Sequence, residues 1–370
     1  MMPSPRFHAL VTAELTGEAR IRLAAVVALT DGDAPRRGRP MGENELIAAL
    51  AGKEILVVGY EQVTAAVIGG SPDLRLIASI RGGPEANIAI GAATARGIPV
   101  LYTTGRNARA VAEHTLGLML ALARHIPRAD ALVREHVLTH DAVDTPTTDV
   151  LWRLPPCSPA ARAHETLIGS ELFGKTLGIV GCGAVGRLVA CFGEAFGMRV
   201  LVHDPFITDA MGNSGEKAPF AAVLADSDYL TLHARLTPRS AGMIGAAELA
   251  GMKPTACLIN TARADLVGER ALIEALQMRR IAGAALDVFH REPLPPDYPL
   301  IGLDHVILTP HLAGWTREVP THHSEIVARD LLRFLAGDLP HEHLANPTVL
   351  AQPAFAERGG RLLGALAGPV

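Results

Sequence analysis

The sequence predicts an α/β protein with two domains, each built on a doubly wound parallel sheet. A chain of 370 residues is too long for one ordinary hydrophobic core. Short apolar runs alternate with single helical patterns up to residue 105 and again from Thr176 onward, which favours parallel βαβ units. Apolar residues make up 49% of the chain and aromatic residues only 4%, a composition typical of buried parallel strands covered by helices.

The first series of apolar runs predicts strands at 54–58, 74–80 and 99–102, with helices at 62–68 and 88–95 between them. The first 50 residues predict one or two further units. A long helix is expected at 110–134, with a kink at Pro127. Residues 137–163 contain four prolines and no clear period, which predicts an extended crossing segment.

The second series predicts a larger sheet that is followed by one more helix. Its strands are expected at 177–180, 199–203, 229–233, 256–260, 282–288 and 306–308, and the helix at 325–335.

A glycine-rich turn follows the first strand of this second series. Gly181, Gly183 and Gly186 open the next helix, where glycines permit a tight turn and the helix N-terminus offers free N–H groups to a pyrophosphate. Asp204 ends the following strand, where an acid can accept hydrogen bonds from ribose hydroxyls. No Arg or Lys follows Asp204 directly, which favours NAD over NADP. The alternative is a purely structural turn in which Asp204 caps the strand end.

Three residues after later strands fit the chemistry of removing hydride from a 2-hydroxy acid. His311 is a candidate base, Glu292 a candidate partner that orients its imidazole, and Arg263 a candidate cation for a carboxylate. Taken singly, each has a simpler interpretation: a packed or capping histidine, a solvated loop acid, and a surface ion pair with Asp265. Asp287, in an apolar strand end, either accepts a hydrogen bond from the nicotinamide amide or ties down a loop.

Together these segments resemble the D-isomer-specific 2-hydroxyacid dehydrogenase family, which includes D-3-phosphoglycerate dehydrogenase, D-lactate dehydrogenase and glyoxylate/hydroxypyruvate reductase. The resemblance runs from about residue 50 to Pro347. Besides the segments above, it is carried by Asn87-Ile88, Gly97-Ile98-Pro99-Val100, Asn107, Val111-Ala112-Glu113-His114-Thr115 and Leu172-Phe173-Gly174-Lys175-Thr176.

The resemblance implies two Rossmann-like or flavodoxin-like domains, with the dinucleotide-binding domain inserted into the substrate domain. The expected boundaries are 1–108 for the first part of the substrate domain, 109–310 for the NAD-binding domain and 311–370 for the return to the substrate domain. In that family the long helix near 110–124 commonly forms the contact of a homodimer.

The resemblance also implies roles for individual residues. Arg263 is expected to bind the substrate carboxylate, and the Glu292–His311 pair to handle the proton. Cofactor contacts are expected at Gly181, Gly183, Ala184, Val185, Gly186, Asp204, Thr261, Ala262 and Asp287. Substrate contacts are expected at Arg81, Gly82, Gly83 and Arg263.

The sequence leaves several alternatives open. Arg81 and Arg106 either add positive charge for an acidic or phosphorylated substrate tail or are ordinary surface cations. Trp315 either walls the substrate pocket or belongs to the core, and Trp152 is a candidate lid or interface residue. The identity of the 2-hydroxy acid and the physiological direction are not determined.

The expected function is that of an NAD-dependent oxidoreductase interconverting a D-2-hydroxy acid and its 2-keto acid. The alternative from another class is a redox sensor or corepressor that binds NADH without consuming it. Formate oxidation on the same scaffold is less favoured, because formate has no hydroxyl proton to remove and that branch typically has Gln where this chain has Glu292.

Composition and charge argue against other classes of partner. The formal net charge of −4 comes with no basic block, so no nucleic-acid partner is expected. No apolar segment has the length of a membrane span, and the paired histidines at 322–323 and at 341 and 343 lack companion metal ligands. The four scattered cysteines indicate reduced thiols, so a cytoplasmic protein without membrane partners is expected.

Overall fold

The structure, a computed structural model, describes residues 7–32, 38–138, 165–207 and 215–366. These residues form two compact units. Unit 1 comprises Met1–Asn107 and Thr316–Val370, and unit 2 comprises Ala108–Trp315. Trp152, Cys157 and nearly all of the segment 137–163 lie outside the described residues.

Unit 1 is built on a five-stranded parallel sheet in the order β2-β1-β3-β4-β5. Its strands are β1 (Phe7–Val11), β2 (Val27–Asp31), β3 (Ile55–Val58), β4 (Leu76–Ser79) and β5 (Val100–Tyr102). The strand order reverses between β1 and β3, and such a switch point opens a crevice outside the carboxyl ends of the strands. The ends of β3, β4 and β5 therefore lie side by side at the edge where ligands bind in such sheets.

Helices cover both faces of this sheet, which explains why its strands appear in the sequence as continuous apolar runs. Ala9 and Val11 of β1 pack into one hydrophobic core, and Leu10 between them packs into the other. The helices of unit 1 are α1 (Gly17–Ala24), α2 (Glu43–Ala49), α3 (Ala65–Gly70), α4 (Ile90–Ala95), α11 (Val319–Ala336), α12 (Pro353–Glu357) and α13 (Gly359–Leu362).

Unit 2 is built on a seven-stranded parallel sheet in the order β12-β11-β10-β9-β6-β7-β8. Its strands are β6 (Thr176–Val180), β7 (Arg199–His203), β8 (Glu216–Lys217), β9 (Tyr229–Leu232), β10 (Cys257–Asn260), β11 (Gly283–Leu286) and β12 (Val306–Leu308). The chain runs outward from β6 through β7 and β8 and then crosses back to β9. The switch point of this sheet therefore lies between β6 and β9.

The helices of unit 2 are α5 (Ala108–Ala123), α6 (Ile126–Arg134), α7 (Ala184–Ala195), α8 (Phe220–Asp226), α9 (Ala246–Gly251) and α10 (Glu269–Gln277). The single helix predicted at 110–134 is thus two helices. His125 has a left-handed backbone with φ of 52°, which ends the regular hydrogen bonding before Pro127 is reached. Pro127 then lies in the first turn of α6, where its missing N–H costs nothing.

The fold class predicted from the sequence is confirmed: both sheets are parallel and helices cover them. The second unit boundary lies at Trp315–Thr316, whereas the sequence placed it at 310–311. The physical reason is a set of hydrogen bonds that joins Leu312 and Ala313 to Asp287 at the end of β11. The segment that carries His311 therefore belongs to unit 2.

We predict that Phe334→Ala destabilises unit 1 by about 3–5 kcal/mol, the usual cost of a cavity left by a buried phenylalanine. Phe334 lies on α11 and is fully buried. Denaturant unfolding followed by far-UV circular dichroism measures the change. Phe206→Ala is the matched control, because this ring is 89% exposed, and its expected effect is within ~0.5 kcal/mol. Equal effects of the two substitutions would contradict the assignment of Phe334 to the core.

Candidate active site

The glycine turn lies at the switch point of unit 2, directly after β6. Gly181 has φ of +89°, and a Cβ built on it would approach the backbone nitrogen of Ala234 to 2.5 Å. A Cβ on Gly186 would lie 2.3 Å from the carbonyl oxygen of Gly181. These two glycines are therefore required by close backbone packing of the strand, the turn and α7.

Gly183 has a different role, because a Cβ built on it would meet no atom within 4 Å. It is the residue before α7, and no side chain caps the helix there. The first N–H groups of α7 therefore point into open space and carry the partial positive charge of the helix end. Ala184 and Val185 supply these N–H groups, so this cradle fits a pyrophosphate.

Asp204 follows β7 and holds the glycine turn in place. Its Oδ2 accepts a hydrogen bond of 2.8 Å from the backbone N–H of Cys182, and its Oδ1 accepts one of 2.9 Å from that of Phe206. A carboxylate has about four acceptor positions, so capacity remains for ribose hydroxyls. Asp204 does make the contacts of a strand-end cap, which is the alternative interpretation. These contacts leave it able to bind the cofactor as well.

The loop after β10 carries Thr261, Ala262 and Arg263. The side chain of Asn260 folds it: Oδ1 accepts from the Ala262 N–H at 3.0 Å, and Nδ2 donates to the Arg263 carbonyl at 2.8 Å. The hydroxyl of Thr261 lies 2.9 Å from that of Thr115 on α5. These contacts fix the backbone of the loop and leave the Arg263 side chain exposed.

Asp287 is fully buried at the end of β11 and holds the segment that carries His311. Its Oδ1 accepts hydrogen bonds from the Thr309 hydroxyl at 2.6 Å and the Leu312 N–H at 2.8 Å. Its Oδ2 accepts from the Ala313 N–H at 2.8 Å. Of the two roles considered for Asp287, tying down a loop is the one that the structure contains. Its contact with the cofactor stays a prediction.

Glu292 and His311 form a hydrogen-bonded pair. Glu292 Oε2 lies 2.8 Å from His311 Nδ1, and Oε1 accepts a hydrogen bond of 3.0 Å from the Phe289 N–H. His311 has φ of 55°, a left-handed conformation that is unfavourable for a residue with a side chain and that clusters at functional sites. The imidazole is half-exposed, and no described residue binds its Nε2.

The electrostatics of the pair keep Glu292 ionised. Partial burial favours the neutral acid, but hydrogen bonds from His311 and from the Phe289 backbone outweigh it and lower the pKa of Glu292 below its usual value. The positive charge of Arg263 contributes in the same direction. His311 and Arg263 thus both favour the ionised form of Glu292.

Another histidine of unit 2, His233, follows β9 and has a lowered pKa. It lies next to the glycine turn, and burial lowers its pKa to about 3. Its Nε2 lies 3.0 Å from the Thr231 hydroxyl. Burial therefore favours the neutral imidazole.

Sequence reasoning missed two residues that support the site. Thr309 hydrogen-bonds Asp287, and His114 on α5 approaches both, at 3.2 Å from the Thr309 hydroxyl and 3.6 Å from Asp287 Oδ1. Of the segment Thr309-Pro310-His311, only His311 is a candidate from the sequence. The sequence did contain a signal for Thr309. Asp287 lies in an apolar strand end, a buried carboxylate needs hydrogen-bond donors, and the Thr309 hydroxyl is such a donor.

The remaining residues that the sequence analysis considered have structural contacts or are exposed. Asp265 pairs with His290 at 3.6 Å and forms no ion pair with Arg263. His343 binds Asp330 at 2.6 Å, and His323 binds the Glu14 carbonyl at 2.7 Å. Trp315 is 76% exposed, so its interpretation as a core residue is wrong.

The described residues contain neither a cluster suited to a metal ion nor a helix suited to crossing a membrane. No group of three or more His, Cys, Asp and Glu side chains is arranged to hold a metal ion there. None of the helices described combines the length and apolarity needed to cross a bilayer.

We predict that Gly183→Ala weakens dinucleotide binding without loss of stability, whereas Gly186→Ala destabilises unit 2. A methyl group at 183 enters only the open cradle, so the Kd for NADH is expected to rise at least about tenfold, or ~1.4 kcal/mol. A methyl group at 186 strikes the backbone and is expected to cost about 1–3 kcal/mol. NADH fluorescence titration and thermal unfolding separate the two effects. Normal NADH binding by Gly183→Ala would rule out the cradle.

The chain is similar to known proteins over most of its length. Residues 116–313 match the sequence model of the D-isomer-specific 2-hydroxyacid dehydrogenase NAD-binding domain. D-3-phosphoglycerate dehydrogenase of Archaeoglobus fulgidus is 37% identical over 309 residues, which are 83% of this chain and 54% of that protein. The chain thus spans about half the length of that relative.

Two further relatives match over most of their length. Glyoxylate reductase of Korarchaeum cryptofilum is 35% identical over 79% of this chain and 82% of its own. The structure of D-lactate dehydrogenase from Aquifex aeolicus, complexed with NAD and lactic acid, has a TM-score of 0.67 at 26% identity and covers 91% of this chain and 98% of that one. Because the matched model is that of an NAD-binding domain, NAD is the cofactor. The chain belongs to the D-isomer-specific 2-hydroxyacid dehydrogenase family and is an NAD-dependent 2-hydroxyacid oxidoreductase.

Proposed function

We propose that Arg263, Glu292 and His311 carry out the interconversion of a D-2-hydroxy acid and its 2-keto acid. The observation that supports this most directly is the 2.8 Å contact between Glu292 Oε2 and His311 Nδ1, which leaves the other imidazole nitrogen available. Bound NAD supplies the acceptor or donor of the hydride. The residues of this chain bind and orient the acid and move its hydroxyl proton.

The contact with Glu292 determines which imidazole nitrogen handles the proton. An ionised carboxylate only accepts hydrogen bonds, so Nδ1 of His311 carries a hydrogen and donates it. In the neutral ring Nε2 then holds the lone pair and accepts the hydroxyl proton during oxidation. In reduction the imidazolium returns the proton from Nε2, while Glu292 stabilises the positive ring.

Arg263 is the proposed partner of the substrate carboxylate. Its guanidinium has a planar fork that matches a carboxylate in bidentate fashion. The backbone of its loop is fixed by Asn260, and its Nη1 donates a hydrogen bond of 2.7 Å to the Ala262 carbonyl. The remaining N–H groups of the guanidinium are available to a ligand.

Arg81, Gly82 and Gly83 of unit 1 are proposed to supply the other contacts to the substrate. They follow β4, and the turn is held by hydrogen bonds from the Arg81 N–H to the Ser79 hydroxyl and from the Thr103 N–H to the Arg81 carbonyl. No described residue accepts a hydrogen bond from the N–H of Gly82 or Gly83. These N–H groups suit a carboxylate.

The names of the relatives leave the substrate open within this class, since one is named for phosphoglycerate and another for glyoxylate. The alternative of an NADH sensor without turnover is not favoured, because these relatives are named as dehydrogenases or reductases. The homodimer implied by the resemblance stays a prediction.

We predict that His311→Gln lowers kcat for keto-acid reduction by about 10²–10⁴-fold, the usual contribution of a general acid–base residue. The Kd for NADH is expected to stay unchanged, because His311 lies outside the glycine cradle. Steady-state NADH oxidation with a panel of 2-keto acids and NADH fluorescence titration measure the two quantities. His8→Gln removes an exposed histidine of β1 and is the control. Near-normal turnover by His311→Gln would remove the residue from the mechanism.

We predict that Glu292→Gln lowers kcat about 10²-fold and moves the pH–rate profile of reduction to lower pH. Because the pKa of Glu292 lies below its usual value, the carboxylate is ionised throughout the neutral range and stabilises the imidazolium that donates the proton. The neutral amide removes this stabilisation. Profiles of kcat from pH 5 to 9 in both directions measure the shift, because their inflections report the pKa values of the essential acid and base. A uniform loss at every pH would indicate a merely structural role for Glu292.

A further inference from the structure

Two neighbouring loops of unit 2 carry the residues proposed to act on the substrate, and one histidine lies between them. Arg263 is in the loop after β10, and Glu292 is in the segment after β11, the adjacent strand of the sheet. His290 belongs to the same segment, two residues before Glu292. Its imidazole extends to the loop after β10, so this side chain connects the two loops.

Both nitrogens of the His290 imidazole face carboxylates. Nε2 lies 3.6 Å from Oδ1 of Asp265, which is two residues after Arg263. Nδ1 lies 3.5 Å from Oε1 of Glu269, the first residue of α10. The His290 side chain is 28% exposed, so the imidazole is partly shielded from water. One ring thus joins two points of the connection between β10 and α10 to the segment that carries Glu292.

Glu269 makes a second contact with this segment. It lies at the start of α10, where the helix dipole favours a negative charge. Burial, the charge of Glu269 and a hydrogen bond to its carboxylate raise the pKa of Tyr298 to about 12. The Tyr298 ring lies edge-on to that of Phe289, with 6.1 Å between the centroids. Glu269 is therefore held by Tyr298 while it faces His290.

The protonation state of His290 decides whether both of its contacts are attractive. An ionised carboxylate only accepts hydrogen bonds, whereas a neutral imidazole has one N–H and one lone pair. A neutral ring therefore directs its lone pair at one of the two carboxylates. The imidazolium has an N–H on each nitrogen and a positive charge, so it attracts both. Of the two forms, only the imidazolium satisfies Asp265 and Glu269 together.

The other charged groups on these elements leave His290 as the cation between the two carboxylates. Arg270 on α10 is 93% exposed and pairs with Glu274 at 3.8 Å. The segment after β11 also carries Arg291 and Asp297. Within the described residues, the ion pairs of Asp265 and of Glu269 are those with His290 alone.

We propose that His290 is a positioning residue whose imidazolium bridges Asp265 and Glu269 and so holds Arg263 in place relative to Glu292. The effect on the substrate rests on the proposed function, because Arg263 is the residue proposed to bind its carboxylate. The bridge is complete while His290 is protonated, and it loses one contact when the ring loses its proton, which for histidine occurs near physiological pH. Affinity for the keto acid therefore weakens as pH rises through this range.

The ratio of KM for His290→Gln to KM for the wild type isolates this effect, because His311 is present in both proteins. With glyoxylate and hydroxypyruvate as keto acids, the ratio is expected to be about two- to tenfold at pH 5.5, the worth of two partly exposed ion pairs. At pH 8.5 it is expected to approach one, since an imidazole is then mostly neutral. The value of kcat is expected to stay nearly unchanged, because the Glu292–His311 contact is intact.

Two further variants complete this test. His290→Arg keeps a cation at every pH, so its KM is expected to equal that of the wild type at pH 5.5 and to lie below it at pH 8.5. Arg270→Gln is the matched control and is expected to leave KM unchanged, because it removes an exposed cation of the same helix whose partner is Glu274. A ratio of one at both pH values, a ratio that does not change with pH, or a loss confined to kcat overturns the proposal.

A double-mutant cycle separates this proposal from the proposed function, because it needs no turnover. His290→Gln and Asp265→Asn are combined, and the free energy of unfolding in urea is measured at both pH values. The two substitutions are expected to be coupled at pH 5.5 and additive at pH 8.5. If the wild type turns over no keto acid, the proposed function fails, and the bridge still stands when this coupling is found. Additivity at both pH values overturns the bridge.

Discussion

The buried carboxylate of Asp287 is the constraint on which the proposed catalytic geometry depends. A fully buried acid is tolerated only when donors surround it, and here Thr309, Leu312 and Ala313 provide them. All three lie in the segment that carries His311. The hydrogen bonds that make Asp287 tolerable therefore also hold this segment in its left-handed turn and bring the imidazole to Glu292. The same contacts thus stabilise the end of the sheet and place the proposed base.

Strand ends bring together residues that are distant in sequence. In unit 2 the turn after β6, the loop after β10 and the segments after β11 and β12 all emerge at the carboxyl edge of one sheet. Two glycines are needed there for packing, whereas Gly183 leaves room for the cofactor. Gly186 is thus required by packing, whereas Gly183 leaves open space for a ligand. The glycine motif alone does not distinguish these two roles.

Much of this arrangement was predictable, because strands buried on both faces appear as apolar runs and site residues follow where the runs end. Three features were not. The strand Glu216–Lys217 is short and exposed, so it lacks an apolar signal. The helix break at His125 depends on a single left-handed residue, whereas the sequence pointed to Pro127. The partners of Asp287 lie 22 to 26 positions away, so the sequence indicated tying down a loop only as one of two roles and did not identify the segment that is held.

The division of residues between the two units has an evolutionary consequence. The pair proposed to handle the proton and its supporting network lie in unit 2, while Arg81 and Arg106 lie in unit 1. Substitutions in the turns after β3, β4 and β5 therefore leave the hydrogen bonds around Asp287 intact. Substitutions in these turns can therefore change the substrate without changing the residues around Asp287. This is expected of a scaffold shared by enzymes with many different substrates.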